Sequence, residues 1–243
     1  MARLSKLLLP VAIADRSSGS DENCYLCGRV AKETPEGQLT RDHLPPKNLF
    51  LSPRPSNLIT VPCCYQCNND SHEDDEYLRV AATACYNSNP VGKKTWEEKT
   101  VGSTVRKKRL TKSIDKMAAS LKRIALITPE GKVLDAVEGK IDGTRVDRVL
   151  TRMTKGFLSR LYPEIERSEL SFQIEQIDQF KLNDPLFRSI TRLLFRFQRG
   201  HAVFRCWHGV EEYSHTGVWV HMFFDSAVYV VSHTSDRRIV MPW

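Results

Sequence analysis

Two Cys-x2-Cys units, Cys24 with Cys27 and Cys64 with Cys67, constrain this chain more than any other feature. Each closes a tight turn that presents two thiolates, and two such pairs supply the four sulfur ligands of one tetrahedral Zn²⁺. The pairs are 36 residues apart, against roughly 15–20 in the common ribbon pattern, so a functional insertion is expected between the halves. Cys63 competes for the fourth place, but it stands four residues before Cys67 where a knuckle prefers three, which favours Cys64. The seven cysteines are an odd number and do not make the disulfide frame of a short secreted domain. Cys85 and Cys206 fall in apolar patterns and read as core thiols.

The insertion has its own pattern. Gln38 to Pro46 and Asn57 to Pro62 read as two short strands joined by the Pro- and Ser-rich stretch Pro45 to Ser56, and Cys64 to His72 reads as the start of a helix. Asn68 and His72 are four apart, so they project from one helix face where both could reach one ion, and Asp42 could complete the set.

The segments CYLCGRV, LTRDHLPP, NLITVPCCYQCNNDSH and DDEYLR together resemble the HNH endonucleases, whose nuclease unit is a ββα-metal finger. The resemblance covers Cys24 to Arg79, about a quarter of the chain. It implies that His43 is the general base, that Asp42 is a metal ligand, and that Asn57 buttresses the loop by hydrogen bonds. It also implies that Asn68 and His72 supply the remaining contacts to a catalytic divalent ion, Mg²⁺ or another. The chain departs from the family in carrying Asn68 where His is frequent and Ser71 where a basic residue is frequent. Relatives of this kind resemble bacterial restriction-like or phage-defence nucleases.

The residue types suit that chemistry independently. Phosphodiester hydrolysis needs an activated water, a counter-charge for the pentacovalent phosphate and a stabilised leaving oxygen. A neutral imidazole is the natural base near pH 7, and a hard cation held by carboxylate, amide oxygen and imidazole serves the other two needs. The four-cysteine zinc would be closed to substrate and structural, since so small a finger lacks a core of its own. Two other readings stand beside this one: a zinc module that binds nucleic acid without cutting it, and an interaction subunit working through its C-terminal sheet. The acidic run Glu73 to Glu76 reads as the solvated start of a helix reaching about Cys85, or as support for His72 and the ion.

Charge is concentrated. The window Val101 to Ala125 holds eight basic residues and one acidic one, and without it the chain has 28 of each, so the whole net charge of +7 sits there. Arg106, Lys107, Lys108, Arg109 and Lys112 are therefore the candidate phosphate-binding residues, with a solvated linker as the alternative. Beyond it, Ile124 to Val137 reads as a hairpin turning at Pro129-Glu130-Gly131. Two helices follow, from Asp142 to Pro163 and from Asn183 to Gly200, with basic stripes Arg145, Arg148, Arg152, Lys155 and Arg188, Arg192, Arg196, Arg199. Such stripes are solvated faces or phosphate tracks. Segments 202–207, 218–224 and 227–233 read as an antiparallel sheet, whose histidines, with His201 and His215, read as structural.

The expected fold is α+β: a tail or strand over 1–19, a zinc-stabilised ββα-metal HNH finger over 20–95, and an α+β domain with an antiparallel sheet over 96–243 that binds substrate or a protein partner. Nucleic acid, DNA before RNA, is the expected partner. The longest apolar run, Leu7 to Ala14, is far short of the roughly 20 residues that cross a bilayer. Preceded by Arg3 and Lys6, it has some look of a secretory leader, but the cysteine usage favours a reducing compartment and a cytoplasmic chain.

Overall fold

The computed structural model describes residues 7–10, 23–30, 39–102, 112–128, 131–167, 169–178 and 183–235. Strands β1 (Leu39–Leu44) and β2 (Ile59–Cys64) form an antiparallel pair, with Asp42 opposite Val61 and His43 opposite Thr60. Helix α1 (Tyr65–Asp70) leaves β2 directly and meets α2 (His72–Thr83) at Ser71. After these come α3 (Pro90–Thr95), capped by the Asn89 side chain, then a π-helical turn (Trp96–Val101) and α4 (Lys112–Ala119).

The hairpin expected near Pro129 is present as β3 (Lys122–Ile127) and β4 (Val133–Glu138). Helix α5 (Gly143–Leu161) follows as expected from Asp142, and it buries Val146, Val149, Leu150, Met153, Phe157, Leu158 and Leu161, a repeat at helical spacing. A five-stranded antiparallel sheet then forms from β5 (Leu170–Ile177), β6 (Phe195–Arg199), β7 (Phe204–Val210), β8 (Gly217–Phe223) and β9 (Ala227–Ser235), in the order β5-β9-β8-β7-β6.

One element differs from expectation. The helix read from Asn183 to Gly200 ends at Arg192: α6 spans Pro185–Arg192, and the chain continues into β6. Phe195-Arg-Phe-Gln-Arg alternates with the period of a strand, and its backbone completes the edge of the sheet against β7. The stripe of four arginines is thus split between a helix and a strand.

The segment read as a finger shares one core with the later elements. Tyr25, Leu44, Leu49, Phe50 and Val61 bury into the same cluster as Phe157, Leu158, Phe204, Trp219 and Phe223. Phe157 lies at the centre, with ring centroids 5.1 Å from Phe197 and 6.1 Å from Trp219. At Gly156 helix and finger come so close that a Cβ would stand 2.5 Å from Leu44 Cδ1 and 3.2 Å from Tyr25 Cε2. The N-terminal stretch is stitched to the far end of the sheet, where Leu8 N–H donates to Val210 O and Leu7 bridges Glu211.

Candidate functional site

The four cysteines meet. Their sulfurs all lie within 4.8 Å of one another, and Cys27 Sγ is 3.8 Å from Cys64 Sγ. A tetrahedron with metal–sulfur bonds of about 2.3 Å has edges of about 3.8 Å, so the spacing is that of a zinc or similar ion's ligands. The turns that achieve this are local. Gly28, at φ +71°, takes the left-handed conformation that lets its N–H reach Cys24 O, and Cys67 N–H points at Cys64 Sγ. Burial raises the Cys24 thiol, but N–H groups of Cys27, Cys64 and Leu26 together outweigh it and bring its pKa to about 7. Cys63 is fully buried, lies outside this cluster, and is pushed up by burial and by Cys24 and Asp42, which resolves the fourth position in favour of Cys64. Cys85 and Cys206 are partly and fully buried thiols among apolar neighbours.

Beside this cluster is a cleft of about 240 Å³ lined by Asp42, His43, Asn68, His72 and Asp75, with Arg41, Lys47 and Tyr65 among its other walls. The hairpin delivers the first two: Asp42 and His43 are adjacent on β1, so they project to opposite faces of the pleat, with Asp42 4% exposed and His43 half-buried. Asp42 Oδ2 accepts from Tyr25 Oη at 2.6 Å and lies 3.6 Å from Arg152 Nη1, which leaves Oδ1 uncommitted. Asn68 Nδ2 donates to Thr40 Oγ1 at 2.8 Å, and Thr40 in turn donates to Cys63 O, so the Asn68 amide oxygen is the free end. His72 opens α2 on the same wall.

A carboxylate oxygen, an amide oxygen and an imidazole are a donor set for a hard divalent cation. Among the described residues the four cysteines are the one group of three or more Cys, His, Asp or Glu ligand atoms so close together. Burial, then Lys47, lowers the pKa of His43, with Arg54 adding to the effect against Asp42, so the imidazole is neutral at pH 7.

Other expected residues are placed differently. Asn57 stands in an exposed turn ahead of β2, does not line the cleft, and makes no side-chain hydrogen bond among the described residues; the expected buttress is not formed there. Arg106, Lys107, Lys108 and Arg109 lie outside the described residues, and Lys112 begins α4. The acidic run is only in part the solvated helix start it resembles: Glu73 is exposed, but its neighbours turn toward α5. Asp74 is buried and accepts from Arg145 and Arg148, and Asp75 from Arg152. Arg145 and Arg152 are therefore turned inward on α2, whereas Arg148 pairs with Asp74 from a side chain that stays 56% exposed. Burial, with Asp42 and Asp74 nearby, pushes the Asp75 carboxyl up against the pull of Arg152.

Arg152 is the residue at the edge of this cleft whose place pattern reading missed. Only 6% of its side chain is exposed, and it joins Asp42, Ser71 and Asp75 from a helix some eighty residues downstream. Its i−4 and i−7 neighbours Arg148 and Arg145 gave it the look of a surface stripe; its neighbours Met153 and Val149, both buried, were the available signal that this face of α5 lies inward.

The chain matches no family model, no curated protein and no solved structure. Among the described residues, no helix is long and apolar enough to cross a membrane.

Proposed function

We propose that this protein is a metal-dependent HNH-type endonuclease that hydrolyses phosphodiester bonds of nucleic acid, DNA before RNA. One observation carries the reading: a single cleft brings a neutral histidine together with a carboxylate, an amide and a second imidazole, beside a four-cysteine cluster. His43 takes the proton of the attacking water, which it can do because burial and the cations Lys47 and Arg54 keep its ring unprotonated. Asp42, Asn68 and His72 are the residues that would hold a divalent ion, which when bound supplies charge stabilisation for the phosphate and the leaving oxygen. Arg41 and Lys47, both exposed at the cleft, meet the substrate's negative charge. Zinc held by Cys24, Cys27, Cys64 and Cys67 fixes the knuckle from which Tyr25 reaches Asp42. Cytoplasmic defence against foreign DNA is the setting that the sequence resemblance suggests.

Digestion of duplex DNA, single-stranded DNA and RNA with Mg²⁺, Mn²⁺ or Ni²⁺ tests this directly. Cleavage by the parent and none by His43→Ala is the expected result. Nucleic-acid binding without cleavage under any of these ions would leave a zinc-dependent binding module instead.

A further inference from the structure

The exposed cations nearest the cleft continue onto the C-terminal sheet. Lys47 lines the cleft and Arg54 stands exposed on the same β1–β2 loop, close enough to act on His43. That loop is docked on the end of β6: a Cβ on Gly200 would meet Phe50 Cε1 at 2.7 Å and Pro55 Cγ at 3.4 Å. Lys99 pins the loop from the other side by donating to the carbonyl oxygens of Asn48 and Phe50. From this junction β6 runs back to Arg196, four residues or about 13 Å away, and α6 places Arg192 just before it. Arg192 and Arg196 are exposed, and the Arg196 guanidinium is held over the Trp207 ring at 5.5 Å.

Pairing separates these arginines from the others. Arg145, Arg148 and Arg152 are committed to Asp74 and Asp75, and Arg205 to Asp225. Arg54, Arg192 and Arg196 have no acidic partner among the described residues. An arginine stacked on an aromatic ring keeps its in-plane N–H donors free for a phosphate while losing little side-chain freedom on binding.

We propose that a nucleic-acid strand leaving the cleft passes over Arg54 and onto Arg196 and Arg192, so that the edge of the C-terminal sheet grips the phosphodiester backbone flanking the cut. Measured along the axis of a duplex, about 13 Å spans about four phosphates of one strand. The grip reads backbone charge and not sequence. It rests on the nuclease reading of the cleft, and deepens it by assigning the surface that holds the substrate on one side.

Binding is measured on the full, zinc-loaded chain carrying His43→Ala, with labelled duplex DNA, single-stranded DNA and RNA of matched length, between about 50 and 200 mM salt. Arg54→Gln, Arg192→Gln and Arg196→Gln together are expected to weaken binding to every sequence alike. On duplex DNA the slope of log K against log salt should fall by about 0.9 per lost contact, or about 2.7 for three. A control with the same charge change at the exposed Lys93, Lys132 and Lys140 should lose far less. All six side chains are exposed, so an unchanged melting temperature is expected, and single Arg196→Gln serves if the triple variant melts early.

Equal affinity and slope in parent and triple variant, or an equal loss in the control, overturns the track. Cleavage assays with His43 restored separate the two readings. A parent that cuts while the triple variant binds and cuts as well as it does removes only the track, whereas a parent that neither binds nor cuts removes both.

Discussion

Arg152 Nη1 lies 3.6 Å from Asp42 Oδ2, so a helix beyond the finger supplies the counter-ion of the finger's own proposed metal ligand. The same guanidinium binds Asp75 Oδ1 and Ser71 Oγ. A buried carboxylate and a half-buried one thus share one cation, and neither has another charged partner at comparable distance among the described residues.

Removal of that cation is therefore costly. Arg152→Met should destabilise the protein by about 3–5 kcal/mol, because it leaves uncompensated buried charge, and Arg152→Lys should recover only part for want of a planar fork. Chemical denaturation monitored by tryptophan fluorescence measures this. A loss under about 1 kcal/mol would show that Asp42 and Asp75 are solvated or protonated without it.

The cysteine cluster predicts metal content. Purified protein should carry one Zn²⁺ per chain, and Cys24→Ser or Cys67→Ser should lose it together with the folded knuckle. Cys63→Ser and Cys85→Ser should keep it, since neither sulfur is in the cluster. Elemental analysis of each variant decides, and zinc retention by Cys64→Ser would contradict the assignment.

His43→Ala should lower cleavage by about 10²–10⁴-fold with zinc content and melting temperature unchanged. The parent's pH profile has a definite sign. The active form is the unprotonated imidazole, and its pKa is lowered from 6.5 by burial and by Lys47, so the rate should be level at neutral pH and fall only below that value. An acid limb centred above 6.5 would point to a different base.

Gly156→Val should cost about 1–3 kcal/mol, since the new side chain would press on Leu44 and Tyr25, both buried, where helix and finger touch. Valine's somewhat better helix propensity recovers only a few tenths. Thermal or urea unfolding gives the comparison, and a neutral substitution would mean that the junction yields.

Acid should unfold the C-terminal sheet. His208, His221 and His233 are buried around Trp219, and burial holds their pKa values at about 4, 3 and 4 against an ordinary 6.5. Each folded-state value lies below the unfolded one, so the unfolded chain takes up the protons first. Stability is insensitive to these groups above pH 6.5 and falls as the pH drops from there toward 4, approaching about 4 kcal/mol per pH unit if all three contribute. His221→Leu, which also removes the unpartnered Nδ1, should flatten that slope by a third in denaturation series across this range.

Sequence pattern reached furthest where a residue's chemistry is local. Paired cysteines, the Asp42-His43 step, the Gly131 turn and the Asp142 start of α5 each announce themselves within a few residues. The β6 strand did not, because Leu193, Leu194 and Phe197 continue the three- and four-residue spacing of α6 while Phe195 to Arg199 alternates; only pairing with β7 settles the competition. The acidic and basic runs failed for a related reason. Spacing places Asp74, Asp75, Arg145, Arg148 and Arg152 on helix faces, and nothing in either segment alone says that the two faces meet. Asn57 was assigned by likeness to a motif, and its turn puts it at the surface.

The shared guanidinium also sets an order of events during synthesis. Asp75 and Arg152 are separated by 77 residues, which a ribosome adding about 5–20 residues per second crosses in roughly 4–15 s. Through that interval the nascent finger has its cysteines and both carboxylates but not the cation between them, nor the Phe157 core on which Leu44 rests. The cleft is therefore not whole until α5 has been made, and a chain interrupted before α5 would leave the ribosome with its cleft incomplete.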